Sequence, residues 1–189
     1  MTDFIIPKSI KNFALIAEPV QGCVITQTKT KLMIFQEMFL RYKAKIKRYL
    51  KKHNIPFSNI KGIFITHNHT DHVKYAGILN SKYEIPIYTT KRIFWGILRN
   101  RNVKNPPTFC NFIHKEESIS IKDFTILPFP VSHDSTECIG FTFYFLDKTF
   151  TIATDLGYIN DITAKQILSS NYLVIESNYD EKMLENGPY

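Results

Sequence analysis

Short apolar runs bounded by polar turns recur along the chain and predict a strand-rich protein. Three early runs, residues 13–17, 22–27 and 31–35, predict the short strands of a meander. A later run, 62–66 (Gly-Ile-Phe-Ile-Thr), predicts a buried strand that ends where a polar segment begins at His67. The remaining predicted strands are 85–89, 109–114, 118–121, 124–130, 138–146, 149–154 and 172–176.

Four other segments have the apolar spacing of helices. Residues 39–53 carry one apolar stripe, and lysines and arginines occupy many of the other positions; the stripe consists of Phe39, Tyr42, Ile46, Tyr49 and Leu50. Helices are also predicted over 71–79, 91–99 and 161–168. Two strand-rich halves interleaved with helices indicate one sheet packed on another, with helices outside.

Length and composition change this picture little. The chain has 189 residues, of which 44% are hydrophobic and 22% charged, with neither an internal repeat nor a low-complexity linker, so a single domain over 1–189 is expected. The formal net charge of +7 favours anionic partners such as nucleic acid, but it also suits a surface charged only for solubility. The basic helix 39–53 has the same two interpretations.

The cysteines narrow the class of protein. Cys23, Cys110 and Cys138 are odd in number and show no Cys-x-x-Cys spacing, which argues against a disulfide framework and against a cysteine-based zinc module. The first residues show no charged leader followed by a long apolar stretch, and no membrane span is visible. A cytoplasmic protein is therefore expected.

The strongest chemical signal is His67-x-His69-x-Asp71-His72, placed where the predicted strand 62–66 ends. In an extended segment residues two apart point to the same side, so His67 and His69 can converge on one ion. Asp71 and His72 follow as the chain turns into a helix, which swings them towards an adjacent position. Imidazole nitrogens and carboxylate oxygens are ligands for zinc, and they also suit manganese or iron.

Two later residues also follow predicted strands. His133 lies in Pro-Val-Ser-His-Asp after the strand 124–130, and Asp155 lies in Ala-Thr-Asp-Leu-Gly after the strand 149–154. Together with the first motif they supply a third imidazole for one ion and a carboxylate able to bridge two. His53 and His114 have no such context and are expected to be ordinary residues.

These motifs resemble those of the metallo-β-lactamase superfamily, and within it the YycJ/WalJ branch of metallo-hydrolases. The resemblance is clearest over residues 55–189 and rests on four segments, namely 66–74, 130–134 with Gly140 and Phe141, 153–158, and 176–189 with its Glu-Ser-Asn-Tyr-Asp and Gly-Pro-Tyr. It implies an α+β fold, the four-layer αββα sandwich with the metal site at one edge.

The resemblance also implies roles for the individual residues. His67, His69 and His133 would hold the first metal, Asp71 and His72 the second, and Asp155 would bridge the two. One or two divalent ions are expected, Zn²⁺ first and Mn²⁺ or Fe²⁺ as alternatives, and Asp71 is in addition the expected catalytic residue. For the branch, the implied activity is phosphodiester hydrolysis by a DNA exonuclease that uses a hydroxide held by the metal.

The chain departs from the family pattern in two places. The glycines and the aspartate of two early turns are replaced, in residues 17–22 and 34–38, which removes support for orienting ligands. The family's further metal-binding histidine would lie beyond Tyr189, so a chain truncated at its C-terminal end and short of one ligand is expected. Two alternatives therefore stay open: an impaired member that binds a single metal, and a thioester or lactone hydrolase.

Overall fold

The computed structural model describes residues 14–16, 23–28, 31–36, 51, 54, 56–121 and 124–175. Strands in these ranges are β1 (Ala14–Ile16), β2 (Cys23–Thr28), β3 (Lys31–Gln36), β4 (Ile60–Phe64), β5 (Ile87–Thr89), β6 (Asn111–Phe112), β7 (Ile119–Ile121), β8 (Phe124–Pro130), β9 (Ile139–Phe145), β10 (Lys148–Ala153) and β11 (Tyr172–Ile175). The helices are α1 (Thr70–Val73), α2 (Ala76–Tyr83), α3 (Lys91–Arg99) and α4 (Asp161–Leu168), and a 3-10 turn spans Phe57–Asn59.

The first sheet has the order β1-β2-β3-β4-β5-β6. Its first three strands are antiparallel neighbours, as the predicted meander requires, and β3 to β6 then pair in parallel. Parallel neighbours need a crossover connection, and here α1 and α2 connect β4 to β5 while α3 connects β5 to β6. The segment after β4 therefore leaves the sheet at the carboxyl ends of its parallel strands.

The second sheet has the order β11-β10-β9-β8-β7. β7 to β10 are antiparallel, and α4 makes the crossover that lets β11 pair in parallel with β10. α4 is held by buried polar groups as well as by packing, since the Thr142 hydroxyl on β9 donates to Gln166 Oε1 at 2.9 Å. Because β8 and β10 are both antiparallel to β9, they run in the same direction, and the segments that follow them leave the sheet at the same end of the strands.

The core lies between the two sheets. Phe64 of β4 meets Phe141 and Phe143 of β9 edge to face, with ring centroids 5.4 and 5.8 Å apart, and all three rings are buried. Because successive strand residues face opposite sides, Ile63 and Ile65 face away from the second sheet, and they belong to the same buried cluster as Ile93 of α3.

A smaller apolar cluster lies on the other face of the second sheet. Phe129 and Ala153 are fully buried there, and Ile162 and Ile167 of α4 pack against them. Helices thus cover the outer face of each sheet, which confirms the expected α+β, four-layer αββα sandwich.

The predicted elements differ from the structure mainly at their ends. The predicted helix 71–79 is two helices, α1 and α2, separated at Lys74 and Tyr75. The predicted helix 39–53 lies outside the described residues apart from position 51, as does His53. Among the described residues, no helix combines the length and the apolar character needed to cross a bilayer.

Candidate metal centre

His67 lies at the centre of the site, just beyond the end of β4. Its side chain is 0% exposed, and Nδ1 lies 3.1 Å from the Thr66 hydroxyl. Nε2 is buried and has no hydrogen-bond partner among the described residues. A buried imidazole nitrogen without a partner is costly unless it binds something, which makes Nε2 the natural ligand atom.

The first ligand group consists of His67, His69 and His133. One ring nitrogen from each lies within 4.8 Å of the others, and His133 Nε2 lies 3.3 Å from His69 Nδ1. The ring centroid of His67 lies 4.5 Å from that of His69 and 4.8 Å from that of His133. The structure therefore brings together the three histidines expected to share one ion.

The second ligand group consists of His67, His72 and Asp155, again with ligand atoms within 4.8 Å of one another. His72 Nε2 lies 3.7 Å from Asp155 Oδ2, and His72 Nδ1 is buried without a hydrogen-bond partner among the described residues. His67 thus belongs to both groups, which the sequence pattern did not predict. The two groups form one continuous cluster.

Asp71 and Asp134 lie at the margin of this cluster. Asp71 was expected beside His72, and its Oδ2 does lie 3.7 Å from His72 Nε2, but its side chain is 43% exposed and it belongs to neither group. Asp134 belongs to the motif around His133, but no role was predicted for it from the sequence. Its carboxylate is 84% exposed and lies 3.1 Å from His133 Nε2 and 3.8 Å from His69 Nε2. The sequence signal that could have identified Asp134 as a site residue is its position directly after His133.

Burial keeps two of the histidines neutral. Desolvation, helped by repulsion from His72, His69 and His133, lowers the pKa of His67 to about 2. Desolvation also lowers the pKa of His72 to about 4, although the Asp71 carboxylate acts in the opposite direction. Neutral imidazole is the form that binds metal, so these side chains need lose no proton at neutral pH. With the partnerless nitrogens and the mixed nitrogen and oxygen donors, the cluster fits divalent metal ions.

Hydrogen bonds between loops hold the ligands in place. The Ile139 backbone N–H donates to the Thr66 carbonyl at 3.0 Å, which joins the two sheets beside His67. The Gly157 N–H donates to the Ser132 carbonyl at 2.7 Å, which ties the loop of Asp155 to the loop of His133. Because Asp155 itself has a left-handed backbone with φ 53°, a strained conformation is maintained at a ligand position.

Asn68, between His67 and His69, is held from three sides. The Ser135 hydroxyl donates to its Oδ1 at 2.8 Å, and Asn100 Nδ2 donates to its carbonyl at 3.2 Å. On the third side Gly96 of α3 is so near that an added Cβ would lie 2.7 Å from Asn68 Nδ2. The ligand loop is therefore packed directly against α3.

Gly96→Ala is expected to weaken metal binding without altering any ligand. The new methyl group must displace the Asn68 side chain, which the Ser135 hydroxyl holds, and changes to groups that support ligands cost roughly 10- to 100-fold in metal affinity. Competition with a chromophoric chelator measures the affinity, and Leu98→Ala on the exposed side of α3 is the matched control. An affinity equal to that of the control would show that this contact does not position the loop.

Comparisons with known proteins agree with this fold. The family described as the β-lactamase superfamily domain matches residues 43–187. The chain is 32% identical over 140 residues to exodeoxyribonuclease YycJ of Bacillus anthracis, covering 74% of this chain and 52% of the relative. It is 29% identical over 147 residues to exodeoxyribonuclease WalJ of Streptococcus pneumoniae serotype 2, covering 77% and 54%. The chain thus spans about half the length of these curated relatives.

Solved structures share the fold at low sequence identity. The metallo-β-lactamase GOB-18 of Elizabethkingia meningoseptica superimposes with a TM-score of 0.68 at 14% identity, over 87% of this chain and 73% of that one. A β-lactamase from Chitinophaga pinensis gives a TM-score of 0.67 at 15% identity, over 93% and 82%. At these identities the likeness concerns the fold.

Proposed function

Because the chain belongs to the β-lactamase superfamily, we propose that it is a metal-dependent hydrolase that cleaves phosphodiesters in DNA, as an exonuclease. The observation that supports this most is the continuous cluster in which His67 joins two groups of potential ligands. Two adjacent ligand groups suit a reaction in which an attacking and a leaving oxygen must both be stabilised.

The residues divide between two positions. His67, His69 and His133 would hold one ion, Zn²⁺ in first place with Mn²⁺ or Fe²⁺ as alternatives. His72 and Asp155, with Asp71 beside them, would hold a second, and Asp155 would bridge the two. When bound, such ions supply Lewis-acid chemistry: they lower the pKa of water and offset the charge that develops on the attacked phosphate.

The remaining work falls to groups of the chain itself. The buried His67 and His72 stay neutral and fix the geometry of the site. We assign Asp71 as the catalytic residue, because its carboxylate is partly open to solvent while Oδ2 lies 3.7 Å from His72 Nε2. At that position Oδ2 can accept the proton of an attacking water.

DNA is the favoured substrate for two reasons. The curated relatives are named exodeoxyribonucleases, and the net charge of +7 suits a polyanion. Since the chain spans about half of each relative, the activity of the isolated chain needs direct measurement.

The test is hydrolysis of end-labelled single- and double-stranded DNA by the purified chain, with Zn²⁺, Mn²⁺ or EDTA. We expect nucleotides to be released from an end with either metal, and no release in EDTA. Hydrolysis of a thioester or lactone but not of DNA would move the chain to another substrate class. One bound ion with no hydrolysis of any substrate would indicate a metal-binding protein without this activity.

A further inference from the structure

Residues 85–114 contain five basic residues and no aspartate or glutamate. The basic residues are Lys91, Arg92, Arg99, Arg101 and Lys104. All five are exposed, and none of them forms a salt bridge with an acidic residue in the part of the chain that the structure describes. This segment therefore presents concentrated positive charge to solvent.

Aromatic rings lie within the same segment. Trp95 on α3 is 48% exposed and Phe112 on β6 is 46% exposed. Phe94 connects them, with its ring centroid 6.3 Å from that of Trp95 and 5.5 Å from that of Phe112, both edge to face. The exposed rings of Trp95 and Phe112, both in contact with Phe94, therefore form an apolar surface on α3 and β6 that is accessible to solvent.

The helix that carries much of this surface, α3, also packs against the ligand loop. Gly96, next to Trp95, packs against Asn68 between two of the ligand histidines. One helical turn on, Asn100 donates hydrogen bonds to the Asn68 carbonyl and to the Thr70 hydroxyl. Because successive helix residues are about 100° apart, Trp95 and Arg99 lie between the side of α3 that carries Gly96 and the side that carries Phe94. A strand bound there would cross the exposed side of α3 towards the segment that carries His67, His69 and Asp71.

We propose that the surface formed by Lys91, Trp95, Arg99, Arg101 and Phe112 binds a single strand of DNA and leads it to the metal cluster. This inference rests on the proposed function for its substrate. Basic side chains attract the phosphates, and exposed aromatic rings stack on bases, which offer their faces only when the strand is unpaired. A duplex would use the charges alone.

Binding of a fluorescein-labelled oligothymidine of about 12 nucleotides, followed by anisotropy in EDTA, tests the proposal. We expect Trp95→Ala to weaken binding about ten-fold and Trp95→Phe to restore most of it. Tyr144→Ala is the control, since Tyr144 is an exposed aromatic residue on β9. Thermal unfolding of each variant shows whether a loss of binding reflects loss of structure.

The charges are tested by the dependence of binding on salt. Replacing Lys91, Arg99 and Arg101 together by alanine should reduce the slope of log affinity against log salt by about 2, since each phosphate contact to a single strand contributes about 0.7. Arg92 is left in place because its charge acts on the nearby Glu137. Lys165→Ala on α4 is the matched control and should leave the slope unchanged.

Several results would overturn the proposal. Trp95→Ala could bind the oligothymidine as the wild type does, or the wild type could bind a blunt duplex equally well. Trp95→Ala could instead convert a dimer to a monomer in sedimentation without affecting DNA, which would make the surface an interface between copies. If the variants bind normally while the wild type hydrolyses DNA, this inference fails alone. If Trp95→Ala loses binding but no variant or wild type hydrolyses DNA, the proposed function fails alone.

Discussion

Replacing His67 by alanine is expected to abolish hydrolysis and to lower the metal content by at least the first ion. A single imidazole nitrogen binds one ion, so the loss of His67 leaves two histidines at the first position, while His72 and Asp155, with Asp71 beside them, remain at the second. Hydrolysis should fall by more than about a hundred-fold, the upper range for removing even a group that only supports a ligand. Metal content after dialysis and the rate of nucleotide release from DNA are the two measurements.

Two histidine variants make this result specific. His69→Ala removes one ligand from the first group and leaves His67, His72 and Asp155 intact, so this chain should still hold an ion while losing hydrolysis. His114→Ala is the control, since His114 is exposed and was expected to be ordinary. If His67→Ala binds as much metal as the control, His67 is not a metal ligand.

Gly77→Ala is expected to have the largest effect on stability, against the trend for helices. Alanine in a helix interior normally gains roughly 1 kcal/mol over glycine. Here the added Cβ would lie 2.0 Å from the Asn105 carbonyl oxygen and 2.6 Å from the Pro106 carbonyl carbon, and backbone atoms yield only if the loop moves. We expect a net loss of about 1–3 kcal/mol in the free energy of unfolding, as for other overpacked sites.

Urea denaturation measures this loss as a lower midpoint. Ser81→Ala, at an exposed position of the same helix, is the matched control and should be neutral or slightly stabilising. A midpoint for Gly77→Ala at or above that of the control would show that the loop at 105–106 does not restrict α2.

Local chemistry explains why some elements were predicted to the residue. The bounds of α3, α4 and β8 agree with those predicted from the sequence. Both helices begin after a residue whose side chain caps them: Thr90 accepts from the Ile93 N–H and Asn160 from the Thr163 N–H. Such a cap joins residues only three positions apart, so the position where the helix begins can be predicted from the local sequence.

The division of 71–79 into two helices was not predictable in this way. The apolar spacing continues through Lys74 and Tyr75, whereas Gly77 is held against Asn105, a residue far along the chain. Contacts with residues distant in sequence are not recorded in a local pattern of apolar spacing.

The same distinction applies to the metal cluster. Strand ends and residue types were sufficient to select His67, His69, His72, His133 and Asp155, which the structure brings together. The directions of the side chains could not be predicted in this way. Only the structure showed that His67 belongs to both ligand groups and that Asp71 lies partly exposed at the margin. The support of Asn68 by Ser135 and Asn100 joins residues 67 and 32 positions apart and leaves no signature in the sequence.

The most direct test of a metal-dependent hydrolase built on this cluster is metal restoration. The wild-type chain would be stripped with a chelator and titrated with Zn²⁺ or Mn²⁺, with bound metal and release of nucleotides from DNA measured in the same samples. We predict no release from the stripped chain and a release that rises with metal occupancy of the cluster. Release that is equally fast without metal, or occupancy no higher than that of His67→Ala, would contradict it.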